Sequence, residues 1–218
     1  MKKIIVAFFI FSAFQSVAQD GVGLRSGITV EKKITKKFSV GVTAQARFNG
    51  DISYLQTYLF EAGAGYKLPL GFDISAYYRN ANRRKDETKE YKMRHRFYVD
   101  LGYGKKLGFV KLENRLRYQH QYKDNDGVTE FDASYFRDKI EVSFPNKSKF
   151  TPYISNDFFI NTSTGFDQIR PKVGVGYKFN KKHALDLGAF KDFDVVGTEK
   201  YSPVLVVNYK FKFWFIKL

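Results

Sequence analysis

The chain contains no cysteine, which excludes disulfides, Cys-ligated zinc or iron–sulfur sites and a lipoprotein anchor. Proline occurs only five times, and after residue 18 no apolar run approaches the roughly 18 residues that a membrane-spanning helix needs. Acidic residues are also scarce, because 22 Asp and Glu face 37 Lys and Arg, which gives a formal net charge of +15. A membrane crossing would therefore have to use strands, and a charged site is expected to be basic.

Aromatic residues are abundant instead: 15 Tyr and 23 Phe occur among 218 residues. A chain this rich in rings is too apolar to be disordered. Its length permits one domain with a sizeable core. We therefore expect a single folded domain that buries aromatic and β-branched surface.

The first eighteen residues have the three regions of a secretory signal peptide. Lys2 and Lys3 give the positive start, an apolar run covers 4–11, and Ser16-Val17-Ala18 places small residues at the two positions that signal peptidase reads. Cleavage after Ala18 would leave residues 19–218 as one mature domain. A secreted chain is not expected to meet nucleic acid, in spite of its positive charge.

From residue 20 onward, apolar and polar residues alternate with period two, which is typical of strands whose two faces meet different surroundings. In 109–122 the even positions are apolar, apart from Asn114 and His120, and the odd positions from 111 to 121 are polar. The segments 38–48, 91–103 and 204–213 repeat this pattern. Eleven strand-like segments begin near residues 22, 38, 54, 71, 91, 109, 133, 152, 169, 183 and 203.

The connections between these segments alternate between two kinds. Short turns rich in lysine lie at 32–37, 66–71, 103–108, 145–149 and 180–183. Longer polar connections lie at 49–53, 79–90, 123–132, 161–168 and 194–201. Hairpins with short turns at one end and long loops at the other follow the plan of an outer-membrane barrel.

Alternation alone does not separate a membrane barrel from a secreted soluble β-sandwich that binds a ligand. The signal peptide, strands of more than ten residues and aromatic rings at the strand ends favour the barrel. The predicted fold is all-β: a transmembrane antiparallel up-and-down β-barrel of ten to twelve strands. Twelve is preferred, because bacterial single-chain barrels have even strand numbers.

Two features are similar to a known family. The turn formula Tyr66-Lys67-Leu68 recurs in 103–107 and 177–185, and one strand reads Glu113-Asn114-Arg115-Leu116-Arg117-Tyr118-Gln119. The chain resembles the outer-membrane barrels of unknown function called DUF2490, which are common in the Bacteroidota. The resemblance spans essentially the whole mature chain and implies a barrel in the bacterial outer membrane, with no catalytic residue carried over.

In such a barrel the polar strand faces point into the lumen, and most of their charges are positive. Two interpretations stay open: a salt-bridged plug, or a narrow pore that prefers anions. The expected partners are membrane lipids outside and a small anionic solute inside. The lumen-lining candidates are Arg47, Arg79, Arg94, Arg96, Asp100, Lys111, Glu113, Arg115, Arg117, Arg137, Glu141, Lys172 and Lys210.

A barrel enzyme that modifies lipids would need a nucleophilic serine beside a histidine on its outer face. None of His95, His120 and His183 has a serine two residues away on the same strand face. The sequence therefore predicts a structural or binding protein, or a narrow pore, with no catalytic residue, cofactor or metal site. The alternative is a lipid-modifying enzyme that acts through His95 or His120. Nothing in the sequence indicates an oligomeric state.

Overall fold

The computed structural model of the chain describes residues 21–49, 51–85, 88–125, 127–195, 197 and 201–214, with the side chain of Trp214 excepted. The predicted signal peptide lies outside the described residues. In the described part, no helix has the length and apolar character needed to cross a membrane. The strands are β1 (Gly23–Lys33), β2 (Phe38–Asn49), β3 (Tyr54–Lys67), β4 (Phe72–Arg84), β5 (Tyr91–Leu107), β6 (Val110–Asn125), β7 (Val128–Ser143), β8 (Phe150–Asn161), β9 (Gly165–Lys178), β10 (His183–Phe190), β11 (Phe193–Asp194) and β12 (Val204–Trp214).

These strands close into a barrel, which confirms the predicted fold class. Each strand from β1 to β9 pairs antiparallel with the next, and β12 pairs antiparallel with β10. The ring closes where β12 runs parallel to β1, in register from Gly23 opposite Val204 to Lys33 opposite Trp214. The two-residue strand β11 continues the line of β10 along β9.

Twelve strands form, as preferred from the sequence, yet the closed wall has eleven, because β11 only extends the edge beside β10. When successive strands run in alternating directions and their number is odd, the first and the last strand run in the same direction. Their contact must then be parallel, as it is between β1 and β12. The preference of bacterial barrels for even numbers does not hold for this wall.

The connections lie at two ends. The turn end carries 34–37, 68–71, 108–109, 144–149 and 179–182, and the described residues at the loop end are 51–53, 85, 88–90, 127, 162–164, 195, 197 and 201–203. The predicted loops 123–132 and 161–168 are therefore much shorter than expected. Their polar residues continue the ladder instead, for example Asp124 opposite Thr129, and Gly127 turns the chain with a positive φ of 87°. Polarity there marks exposure to water and not the loss of strand pairing.

The strand faces differ as the alternation predicts. On β6, Leu116 points outward and is 48% exposed, whereas Gln119 points into the lumen and is 2% exposed. Every strand of the wall presents a large apolar side chain outward, exposed by 39 to 60%. We call this ring the apolar belt; its members are Ile28, Val42, Phe60, Ile74, Val99, Leu116, Ile140, Ile154, Val173, Leu187 and Leu205.

Aromatic rings border the belt at both ends of the barrel. At the turn end the rings of Phe72 and Tyr103 lie 4.8 Å apart, centroid to centroid. At the loop end the rings of Tyr122 and Phe131 lie 5.9 Å apart. The best-buried apolar residues lie inside the lumen and not between two sheets, and they are Leu59, Tyr98, Tyr153, Phe159 and Phe190.

Candidate functional site in the lumen

The lumen is wide in one half and narrow in the other. A central cavity of about 610 Å³ overlaps a second of about 510 Å³, which reaches the turn end at Leu68, Gly71 and Gly104. The cavity nearest the loop end, beside Arg47 and Arg94, holds only about 90 Å³. A solute thus has room from the turn end to mid-height, and meets a constriction beyond.

Positive charge dominates the central cavity. Its lining includes eleven Lys and Arg side chains and five Asp and Glu side chains. The low-dielectric wall screens these charges less than water would, so their fields add up inside the lumen. The interior of the barrel is therefore a basic compartment.

The most buried ion pair of the lumen, among the described residues, lies at mid-height between neighbouring strands β5 and β6. Arg117 donates from Nε to Asp100 Oδ1 over 2.6 Å and from its terminal nitrogen to Oδ2 over 2.8 Å. The two side chains are only 6% and 8% exposed. The Arg117 guanidinium also lies 3.6 Å from the ring centroid of Tyr98. The cation–π contact and the bidentate ion pair therefore hold the Arg117 side chain in one position.

Three further carboxylates hold arginines in the same layer. Glu61 accepts from Arg79 on the adjacent strand at 2.5 Å, and Asp192 accepts from Arg170 at 2.5 Å. Asp157 binds Arg137, and Arg115 reaches the same carboxylate at 3.3 Å. The lumen is thus partly the salt-bridged plug that the sequence offered as one interpretation.

Three lumen arginines are not neutralised in this way. Arg25, Arg47 and Arg96, which we call the arginine cluster, form no ion pair with a carboxylate in the described part of the chain. Arg47 donates to the Gln45 amide oxygen at 2.8 Å, and Arg96 donates to Gln121. Arg25 lies directly opposite Arg47 in the register of β1 and β2. Like charges in such cross-strand pairs repel, which favours the presence of an anion.

Every lumen-lining candidate named from the sequence borders one of these cavities. Arg25 was missed, because Ser26 breaks the alternation at the start of β1 and hides the inward series Arg25, Gly27, Thr29. The predicted candidates that line the central cavity are Arg47, Arg79, Asp100, Arg115, Arg117, Arg137, Lys172 and Lys210. Those that line the cavity at the turn end are Lys111, Glu113 and Glu141. Arg94 and Arg96 line the constriction.

A family model described as "protein of unknown function (DUF2490)" matches residues 26–201. The chain belongs to the DUF2490 family. This confirms the resemblance seen in the turn formula and in the strand 113–119.

Comparison with other proteins gives little beyond this membership. Among solved structures, Salmonella typhi OmpF in complex with daunomycin is similar at 16% identity and a TM-score of 0.35, over 78% of this chain and 53% of OmpF. The chain thus spans about half the length of that protein. No curated protein matches the sequence. The barrel of this DUF2490 chain is established by its own closed strand register.

The histidines of the DUF2490 barrel lie outside the lumen, on the outward faces of their strands. Each bonds a hydroxyl through Nδ1: His95 with Tyr78 at 2.6 Å, His120 with Ser134 at 2.7 Å, and His183 with Tyr209. Ser134 escaped the sequence search, since it comes from the neighbouring strand, directly opposite His120. Within the described residues, no carboxylate bonds His120, and no three His, Asp or Glu side chains gather as a metal site.

Proposed function

We propose that this chain is a bacterial outer-membrane β-barrel whose basic lumen forms a narrow, anion-preferring pore. The membrane part of the proposal rests on the apolar belt. Soluble monomers rarely expose connected apolar patches larger than a few hundred Å². Here every strand of the wall contributes an exposed large apolar residue, with aromatic rings at both ends, which matches the lipid-facing surface of membrane barrels.

The lysine-rich turns suggest the orientation of the barrel. Lysine side chains near a membrane surface are attracted to anionic headgroups. Outer-membrane barrels have short turns on the periplasmic side and longer loops outside the cell. We therefore place the turn end, where the lumen is wide, in the periplasm and the constriction near the outer surface.

The anion preference rests on the arginine cluster beside the narrowest part of the lumen. Rings of unpaired basic side chains attract anions and repel cations, as in anion-selective pores. Arg47 also lies within the fields of Arg25, Arg79, Arg96 and Arg170, so one site collects several positive charges. A small solute with negative charge is the partner that this chemistry fits.

Single-channel conductance of the refolded chain in a planar bilayer with a salt gradient tests this function. A heat-dependent shift in gel mobility first shows that the barrel is folded. We expect small steps with an anion-selective reversal potential, and a clear loss of selectivity in Arg47→Gln. The control Lys36→Gln removes the same charge from a turn and should leave selectivity unchanged. Silence from a folded barrel would overturn the pore.

A second candidate function, lipid hydrolysis, is favoured by one observation: the hydrogen bond between Ser134 and His120 on the outward face. This distance of 2.7 Å is within the range of a nucleophile and its general base. Release of fatty acid from phospholipid vesicles should then be abolished by Ser134→Ala. Tyr78→Phe, which removes the hydroxyl that bonds His95, is the matched control. Equal rates in wild type and Ser134→Ala would exclude this chemistry.

A further inference from the structure

One side of the outer wall, from β7 round to β12, contains a groove. Its volume is about 760 Å³. The floor carries small side chains, Pro171 and Ala189, whereas larger apolar residues stand around it. Its rim includes Ile140, Ile154, Phe158, Val173 and Leu205. The depression thus has the volume and the apolar lining that hydrocarbon chains require.

The wall is interrupted at the loop-end side of this groove. Neither Lys191 nor Asp192 belongs to the ladder with β9, which stops at Phe190 opposite Lys172 and resumes at Phe193 opposite Ile169. Pro171 stands opposite the gap and, having no amide hydrogen, cannot donate to a neighbouring strand. Proline inside a wall strand therefore accounts for the local break in the ladder.

Two polar side chains line the groove at this level. Lys191 lies on one side of Pro171 and Asn156 lies on the other, directly opposite Pro171 in the register of β8 and β9. The Asn156 Oδ1 atom is buried and has no hydrogen-bond partner. A buried acceptor without a partner costs free energy, and a polar or charged group on a lipid-facing surface commonly marks a functional site.

The height of these groups fits the headgroup region of a lipid. Phe158 and Phe193 both pair with Ile169, two residues nearer the loop end than Asn156 and Lys191. Aromatic rings on barrels mark the interface between hydrocarbon and water. Asn156 and Lys191 therefore lie just inside that interface, with the apolar groove extending below them toward mid-membrane.

We propose that this groove binds a membrane lipid with an anionic headgroup, as a specific site and not as bulk bilayer. The hydrocarbon chains would fill the depression over Ala189, and the negative charge would meet Lys191. A hydroxyl or ammonium donor of the headgroup would satisfy Asn156 Oδ1. This inference rests on the proposed membrane location, and on no property of the lumen.

Native mass spectrometry of the barrel released from detergent micelles tests the site, with phosphatidylglycerol and phosphatidylcholine offered in equal amounts. One lysine near a lipid surface contributes about 1 kcal/mol, so we expect about fivefold more phosphatidylglycerol adduct. Lys191→Gln should reduce this ratio to near one. Ala189→Phe, which fills the groove, should remove most of the adduct.

The control is Ala44→Phe. Ala44 also faces outward between two large apolar residues, Ile28 and Phe60, but it lies on β2 and does not line the groove. This variant should bind lipid like the wild type. Equal binding of the two lipids, or equal losses in Ala44→Phe and Ala189→Phe, would overturn the lipid site while the barrel itself stays folded. A chain that forms no heat-modifiable barrel in micelles would overturn the membrane proposal as well.

Discussion

The ion pair between Asp100 and Arg117 should contribute far more to stability than a similar pair in the same lumen. In Asp100→Asn, Arg117 loses its negative partner while it stays buried beside Tyr98. Removing one partner of a buried pair costs about 3–5 kcal/mol, and we expect about 3 because asparagine can still accept one hydrogen bond. The comparison is Glu113→Gln, whose pair with Lys111 is 41% and 42% exposed. Exposed pairs contribute about 0.2–1 kcal/mol.

The assay is reversible urea unfolding of the barrel in phosphatidylcholine vesicles, followed by the fraction of heat-modifiable protein on gels. The free energy of unfolding should fall markedly in Asp100→Asn and little in Glu113→Gln. The double variant Asp100→Asn with Arg117→Gln should recover part of the loss, because no uncompensated charge is then left. Equal losses in the two single variants would refute the reasoning, since they would mean that water screens the mid-height lumen as fully as it screens the turn end.

Two further predictions concern the wall. Phe60→Arg places a charge in the apolar belt and should lower the free energy of unfolding by about 2–4 kcal/mol, the cost of an arginine at the bilayer midplane. Phe109→Arg at the turn end should lower it by only about 0–1 kcal/mol. Equal unfolding free energies of the two variants in vesicles would contradict the membrane location. The parallel closure predicts that Ile28→Cys and Tyr209→Cys, opposite one another in β1 and β12, form a disulfide under mild oxidation. The control pair Ile28→Cys and Leu205→Cys should form no disulfide, because Leu205 lies four residues from the position opposite Ile28. A disulfide in the control pair and none between positions 28 and 209 would exclude the parallel register.

Much of this fold could be predicted from the sequence, because period-two alternation directly reports which side chains face outward and which face the lumen. Arg115, Arg117 and Arg137 lie on cavity walls for this reason. The short loops could not be predicted. Strand pairing of 123–125 with 128–130 is made by backbone hydrogen bonds, which do not depend on side-chain polarity, so a polar composition does not reveal it.

The partners of charged groups were also beyond sequence reasoning. Asp192 follows β10 at a break in the ladder, where alternation ceases to be a guide, and yet it holds Arg170 in the lumen. Ser134 meets His120 only through the register of β6 and β7, which shifts by one residue at a bulge nearby. Such contacts depend on register, and a single sequence does not specify register across a barrel.

The parallel contact between β1 and β12 has a topographical consequence. The chain enters the wall at the loop end with Gly23 and leaves it at the turn end with Trp214. In a barrel with an even number of strands, both points would lie at the same end of the barrel. In the outer-membrane location that we propose, a label fused ahead of β1 and a label fused after β12 would face opposite compartments, so antibody access to intact cells would reach one and not the other.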